Sequence, residues 1–224
     1  MDLKAVALAQ LAQRSCLLLW LVWLSALIFF SVLAGLAATN DLFVGDLGFA
    51  RRLQDANATA FEAALAWAEA LTGVPLRVVM WLVSAVGLWL MARRLEAAFL
   101  LLSMFGWLPA EGIRRLVERP RPSPALVQVR EDVPGFGFPS GHVVAGVLLY
   151  GFLFYLAMVT IPYRPLRWLG QAACVAVVGL VAVQRVYVGT HWPSDVLGGF
   201  LLGGLILVPT VWLHRRYAAG RAAA

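Results

Sequence analysis

The chain has 224 residues, 62% of them hydrophobic and only 13% charged, with a formal net charge of +6. That balance excludes an ordinary soluble domain, and bilayer-length apolar runs recur along it, so the fold class expected is an all-α polytopic membrane protein. The runs are continuous rather than alternating, which excludes an outer-membrane barrel. The positive balance belongs to arginines flanking the apolar runs. No soluble basic face is left to hold a duplex, so no nucleic-acid partner is expected. Cys16 and Cys174 lie inside apolar runs and read as packing residues, with neither a disulfide framework nor zinc spacing.

A short polar start carrying Lys4 and Arg14 leads into a first span over about 15–37, rich in Leu, Trp and Phe. Its end, Ala-Gly-Leu-Ala-Ala, loosely resembles a signal-peptidase site. The run exceeds a signal core, so it reads as an uncleaved span. Residues 39–75 are mixed, with Asp41, Asp46, Arg51, Arg52, Asp55, Glu62 and Glu69 among alanines and aromatics. Within them, 60–71 places Phe61, Leu65 and Ala68 on one side, as in an amphipathic helix lying on the membrane or closing over the bundle. A second span (76–91) ends at Arg93 and Arg94, and a third (97–113) runs into an arginine-rich turn from Arg114 to Pro122. Residues 123–138 read as a loop from their Pro and Gly content. A fourth span covers 139–161, and a short turn (162–167) precedes a fifth that ends near 183. The sixth covers 193–213, with His214 read as a boundary residue beyond it. Gly198, Gly199, Gly203 and Gly204 in this last span include a Gly-x-x-x-Gly step, which favours close packing against a neighbouring helix.

The expected architecture is a six-transmembrane-helix bundle with an amphipathic helix between spans one and two, forming a single domain over 1–224. Six spans put both termini on one side, and three polar islands then fall together on the other face. The positive-inside count is a tie, nine basic residues against nine. Setting aside Arg114, Arg121 and Arg185 as retained for chemistry leaves six against nine, which favours a cytoplasmic N terminus.

A single arginine at a membrane boundary reads as a headgroup anchor. Arg114, Arg121 and Arg185 on one face with two histidines read differently, because converging guanidiniums repel unless an anion sits among them. A tetrahedral phosphate suits their planar forks. Pro139-Ser140-Gly141-His142 opens a helix whose free N–H groups and glycine make a phosphate cradle, against the plainer reading of a capped helix with His142 facing headgroups. His191 and Asp195 lie four apart with Pro193 at the helix start between them. Asp195 can then accept the N–H of the imidazole and leave its other nitrogen electron-rich. Metal binding is the competing reading for two histidines and an aspartate. The lack of a carboxylate cluster and the surrounding arginines weigh against it, so no metal or cofactor is expected.

The three islands, over about 114–195, resemble the signature of the type 2 phosphatidic acid phosphatase family, which also includes lipid phosphate phosphatases and vanadium haloperoxidases. Its first motif is Lys, six residues, then Arg-Pro; here Arg114 replaces the lysine and Arg121-Pro122 follows. Pro139 to His142 match the second motif unaltered. In the third, Gln184 replaces a serine while Arg185, His191 and Asp195 match.

The resemblance implies that His191 attacks phosphorus to form a phosphohistidine, that Asp195 steadies the imidazolium, and that His142 protonates the leaving oxygen. Arg114, Arg121 and Arg185, with Ser140 and the Gly141 N–H, would hold the phosphoryl oxygens. Catalytic groups at headgroup depth with a tail in hydrocarbon imply a membrane lipid phosphate or diphosphate as substrate. Undecaprenyl diphosphate, phosphatidylglycerol phosphate, phosphatidic acid and lipid A 1-phosphate all fit. The site is expected at the extracytoplasmic face, in a bacterial cytoplasmic membrane. A lipid phosphotransferase, a non-catalytic headgroup-binding carrier or scaffold, and a haloperoxidase are the rival readings, and the motifs leave oligomeric state open.

Overall fold

The computed structural model describes the backbone of residues 3–56 and 59–223, with side chains for 16–56, 62–67, 70 and 73–221. Every regular element among these residues is a helix: α1 (Leu3–Ala37), α2 (Asp46–Gln54), α3 (Thr59–Thr72), α4 (Val74–Leu90), α5 (Arg94–Met104), α6 (Trp107–Val117), α7 (Gly141–Thr160), α8 (Arg164–Tyr187) and α9 (Pro193–Ala223). Four stretches are long and apolar enough to cross a membrane: Cys16–Ala37, Gly141–Thr160, Arg164–Tyr187 and Pro193–Arg221. The 22 residues of the first rise about 33 Å, which matches a hydrocarbon core of about 30 Å.

The remaining two expected spans differ. The α4 helix is apolar but has only 17 residues. The expected third span is not one helix, because the chain breaks at Phe105 and Gly106 between α5 and α6. Pro109 supplies the reason: it has no N–H for the Phe105 carbonyl, and its ring would strike that carbonyl in a continuous helix. In the first turn of α6 the missing donor costs nothing. Gly106 lets this break press onto the Leu148 side chain, where any Cβ would collide.

Helix α7 is the hub. Val143, Val144, Leu148, Leu149 and Phe152 are fully buried, as α8, α9, α5 and α6 pack around it. The expected glycine packing in α9 is present. A Cβ on Gly199 would come within 2.9 Å of Val143, and one on Gly203 within 2.7 Å of Val147, so these glycines let the α7 and α9 backbones approach. Gly204 faces open space and takes no part. On the outside, α1 presents Leu18, Val22, Ile28 and Phe29 to the surroundings and holds α9 through a Trp23 Nε1 to Leu205 O bond of 2.9 Å. An apolar face of this extent marks contact with hydrocarbon.

The 39–75 segment does more than cover the bundle. Helix α3 packs on α8 and α4, with Leu65 buried; the side chains of Phe61 and Ala68 lie outside the described ones. Glu62 accepts a 2.7 Å bond from the Tyr187 hydroxyl and pairs with Arg130 at 3.3 Å. These charge-assisted bonds hold its carboxyl below the usual range. Helix α2 sets Leu47, Ala50 and Leu53 at three-residue spacing against the part of the core that holds Val186 and Trp192. Its buried Gln54 donates to Gln128 O (2.7 Å) and Tyr187 O (2.9 Å) and accepts from Gln128 N (3.0 Å). Arg51 Nε donates to Leu126 O at 2.9 Å. The 123–138 loop is thereby tied to the end of α8. The α8–α9 turn beneath it requires glycine at 189, where φ is +75° and a Cβ would collide with Gln128 O. At the opposite end α9 continues well past residue 213. His214 is therefore inside a helix and buried in the bundle, not a boundary residue.

Candidate active site

Four helix ends meet at one end of the bundle. Arg114 sits in the last turn of α6, Ser140 is the N-cap of α7 with Gly141 and His142 in its first turn, and Arg185 is in the last turn of α8. His191 lies in the α8–α9 turn and Asp195 in the first turn of α9. Backbone bonds lock these pieces together: Ser140 N donates to Asp195 O (3.0 Å), Gly137 N to Arg119 O (2.8 Å), and His191 N to Arg185 O (3.2 Å). A Cβ on Gly137 would stand 2.9 Å from Asp195 Oδ2, so glycine is needed for the loop to pass.

His191 and Asp195 are both buried, at 3% and 0% side-chain exposure. Their Nδ1 and Oδ2 atoms are 3.7 Å apart, an ion-pair distance longer than a hydrogen bond, so the direct bond expected between them is not closed. The carboxylate is committed elsewhere: Oδ1 accepts from Arg119 Nη1 at 2.6 Å and Oδ2 from Trp192 N at 2.9 Å. On the other side of the ring, Arg121 Nη1 lies 3.2 Å from His191 Nε2. A guanidinium only donates, so Nε2 is the acceptor and the ring proton is on Nδ1, facing Asp195. Burial holds the imidazole below its ordinary range, Arg121 and Arg185 add to the lowering, and Asp195 pulls the other way. The lowering favours the neutral ring, with its lone pair among the arginines.

The arginines are oriented individually. Arg121 also donates from Nη1 to Thr190 O (2.8 Å) and from Nε to Gly135 O (3.1 Å). Burial and the neighbouring Arg114 charge weigh against its protonated form, while Asp195 and Glu131 support it. Arg185 Nε is 2.5 Å from Gln184 Oε1, so the amide standing in the third motif steers this guanidinium; Nη1 reaches Glu131 at 3.3 Å. Arg114 Nη1 pairs with Glu111 at 2.6 Å, and its Nη2 occupies the space a Cβ on Gly141 would fill, at 2.5 Å. The planar fork in place of lysine thus reaches the α7 N terminus. Ser140 makes no capping bond, and its Oγ, like Arg114 Nε, is buried without a hydrogen-bond partner among the described residues. Half-buried His142 has Arg77, His191, Arg121 and Arg114 within electrostatic range. Among the described residues no three His, Cys, Asp or Glu side chains cluster as metal ligands. All eight residues singled out from the sequence are brought to this one end.

Sequence reasoning passed over three others. Arg119 and Asp46 are almost fully buried and paired at 2.9 Å, and Ser194 bridges them. Arg119 stands two residues before Arg121, inside the motif but at one of its unspecified positions. Asp46 lies in the mixed segment, where nothing in its neighbours distinguishes it from Asp41 or Asp55.

The model of the PAP2 superfamily matches residues 96–218. Phosphatidylglycerophosphatase B of Bacillus subtilis is 35% identical over 118 residues, 51% of this chain and 56% of that protein. Lipid phosphate phosphatase delta of Arabidopsis thaliana is 31% identical over 110 residues, 45% of this chain and 26% of its length. The chain thus spans about half or less of these relatives. The crystal structure of a transmembrane PAP2-type phosphatidylglycerolphosphate phosphatase from Bacillus subtilis has the same fold, with a TM-score of 0.72 over 87% of this chain and 96% of that one, at 22% identity. A match over more than half the chain, on the helices that carry all three motifs, makes this protein a member of the PAP2 superfamily.

Proposed function

We propose that the protein is an integral-membrane phosphatase that hydrolyses lipid phosphates or diphosphates through a phosphohistidine on His191, without a metal. One observation carries this reading: the Arg121 guanidinium lies on His191 Nε2 while Asp195 stands behind Nδ1. That arrangement selects the tautomer whose free lone pair faces the anion clamp. As a phosphoryl group enters, Arg121 exchanges Nε2 for a phosphoryl oxygen and uncovers the nucleophile. Nε2 attacks phosphorus in line, the bond to the leaving oxygen breaks, and His142 gives that oxygen its proton. His142 then takes a proton from water as the water oxygen attacks phosphorus. Inorganic phosphate leaves with the N–P electron pair returned to His191. Arg114, Arg121, Arg185, the Ser140 hydroxyl and the Gly141 N–H stabilise the charge on the phosphoryl oxygens.

A lipid substrate is supported by the surroundings. An apolar groove of about 330 Å³, lined by Val147, Gly151 and Phe154 of α7, Cys174 and Val178 of α8 and Phe200 of α9, lies further along the helices that carry the site, with no site residue in its lining. It suits a hydrocarbon tail. The activities named for the bacterial and plant relatives belong to the same chemical class. We place α4 and the α5–α6 pair as the two further crossings and the site at the extracytoplasmic face of a bacterial cytoplasmic membrane, on the charge count given above. The test is phosphate release by purified protein from undecaprenyl diphosphate, phosphatidylglycerol phosphate and phosphatidic acid, with and without chelator. Turnover of at least one, unaffected by chelator and abolished in His191→Ala, is expected. Loss of turnover on chelation, or full activity in His191→Ala, overturns the proposal.

A further inference from the structure

We propose that Arg119 and Asp46 are positioning residues that fix the Asp195 carboxylate behind His191, so that helix α2, outside the family-model match, is part of the catalytic apparatus. The inference rests on His191 being the nucleophile. Its basis is a buried polar cluster. Arg119, with its side chain at 0% exposure, donates Nη1 to Asp195 Oδ1 (2.6 Å) and to Ser194 Oγ (2.7 Å), and Nη2 to Asp46 Oδ2 (2.9 Å). Asp46, at 4%, accepts from Ser194 N (3.0 Å), Ser194 Oγ (2.6 Å) and Phe43 N (3.3 Å). The guanidinium also lies 4.5 Å from the Phe43 ring centroid.

Two consequences follow from this connectivity. With Oδ1 held by Arg119 and Oδ2 by Trp192 N, the Asp195 carboxylate cannot rotate, and the Oδ2 edge stays toward His191. The charges also matter. One guanidinium and two carboxylates leave the buried cluster with one net negative charge, the amount that an imidazolium formed at His191 would balance. Arg119 alone would cancel Asp195; Asp46 restores the sign. Charges buried this deeply are costly to retain without such mutual pairing.

The experiment uses Asp46→Asn in the full chain, a near-isosteric change that touches neither His191 nor Asp195. Its first readout is independent of turnover: titration of labelled histidine rings by NMR, the chain having three histidines. The groups facing the His191 ring are Asp195 of α9, Arg121 of the loop after α6, Arg185 of α8 and His142 of α7. Removing one negative charge behind Asp195 should make His191 harder to protonate and move its titration to lower pH. The second readout is kinetic, with kcat falling about tenfold to a hundredfold and KM within about twofold, as for the loss of a charge-assisted bond that acts on the transition state. If Asp46→Asn does not fold, Asp46→Ser, which removes the same charge and keeps a hydroxyl beside Ser194, carries the test, with both readouts moving in the same direction. An unmoved His191 titration with unaltered kcat in a folded variant overturns the inference. Wild-type protein inactive on every lipid, with the titration still shifted, overturns instead the functional reading beneath it.

Discussion

Two histidines are buried to the same degree at opposite ends of the bundle, and they are not equivalent. His191, 3% exposed, has an arginine on one nitrogen and an aspartate behind the other. His214, 2% exposed, stands edge-on to Phe99, Phe152 and Tyr155 with ring centroids 5.3, 6.0 and 5.4 Å away, and its Nδ1 lies 2.9 Å from the Tyr155 hydroxyl. Nε2 of His214 has no hydrogen-bond partner among the described residues. One ring is set in charges that polarise it, the other in rings that pack it. Burial of an imidazole therefore does not make a site; the ionic groups placed around it do.

The largest effect expected from this contrast is between His191→Ala and His214→Phe. Loss of the nucleophile should reduce kcat by about 10³-fold or more, whereas His214→Phe should leave kcat within about twofold, since it keeps an aromatic ring in an aromatic box. Equal losses would erase the distinction. Next comes Arg185→Lys, which keeps the charge but loses both the fork held by Gln184 and the planar donors. Phosphate-release kinetics should fall about 10²-fold, because removing one fixed donor to the phosphoryl oxygens costs that order.

The pH dependence sharpens the same comparison. Folding disfavours the charged form of His191, so its folded value lies below the ordinary one of about 6.5. The stability it contributes is therefore complete above that ordinary value and is lost as pH falls from there through the folded value. The acid limb of kcat/KM, which reports the free enzyme, should accordingly lie below about 6.5 and stay in place in His214→Phe. A limb at or above the ordinary value would mean that Asp195 outweighs burial and the arginines. The smallest effect is Tyr155→Phe, which removes the hydroxyl facing His214. Thermal unfolding should register a loss of about 1 kcal/mol, with turnover unaltered.

What the chain revealed in advance follows the same division. Hydropathy marked α1, α7, α8 and α9, because a bilayer leaves an unbroken apolar run. The motif residues were legible because proline, glycine, histidine and arginine at those spacings have few other uses. The break at Gly106 was also written in the chain, in Pro109, but an apolar run across it concealed the interruption. Asp46 and Arg119 were not legible. Their meaning lies in a contact between residues 73 apart in sequence, and neither sits in a pattern that local periodicity could single out. The distance between His191 and Asp195 was hidden for the same reason, since four residues' spacing says nothing about a third group competing for the carboxylate.

The most direct measurement is to mix the protein with a ³²P-labelled lipid phosphate, quench within the turnover time under alkaline conditions, and locate label on peptides. The account predicts phosphate that is stable to base and labile to acid, bound to the peptide containing His191 and absent from His191→Ala. Label on another residue, or turnover with no covalent phosphate under conditions that trap a known phosphohistidine, would contradict it.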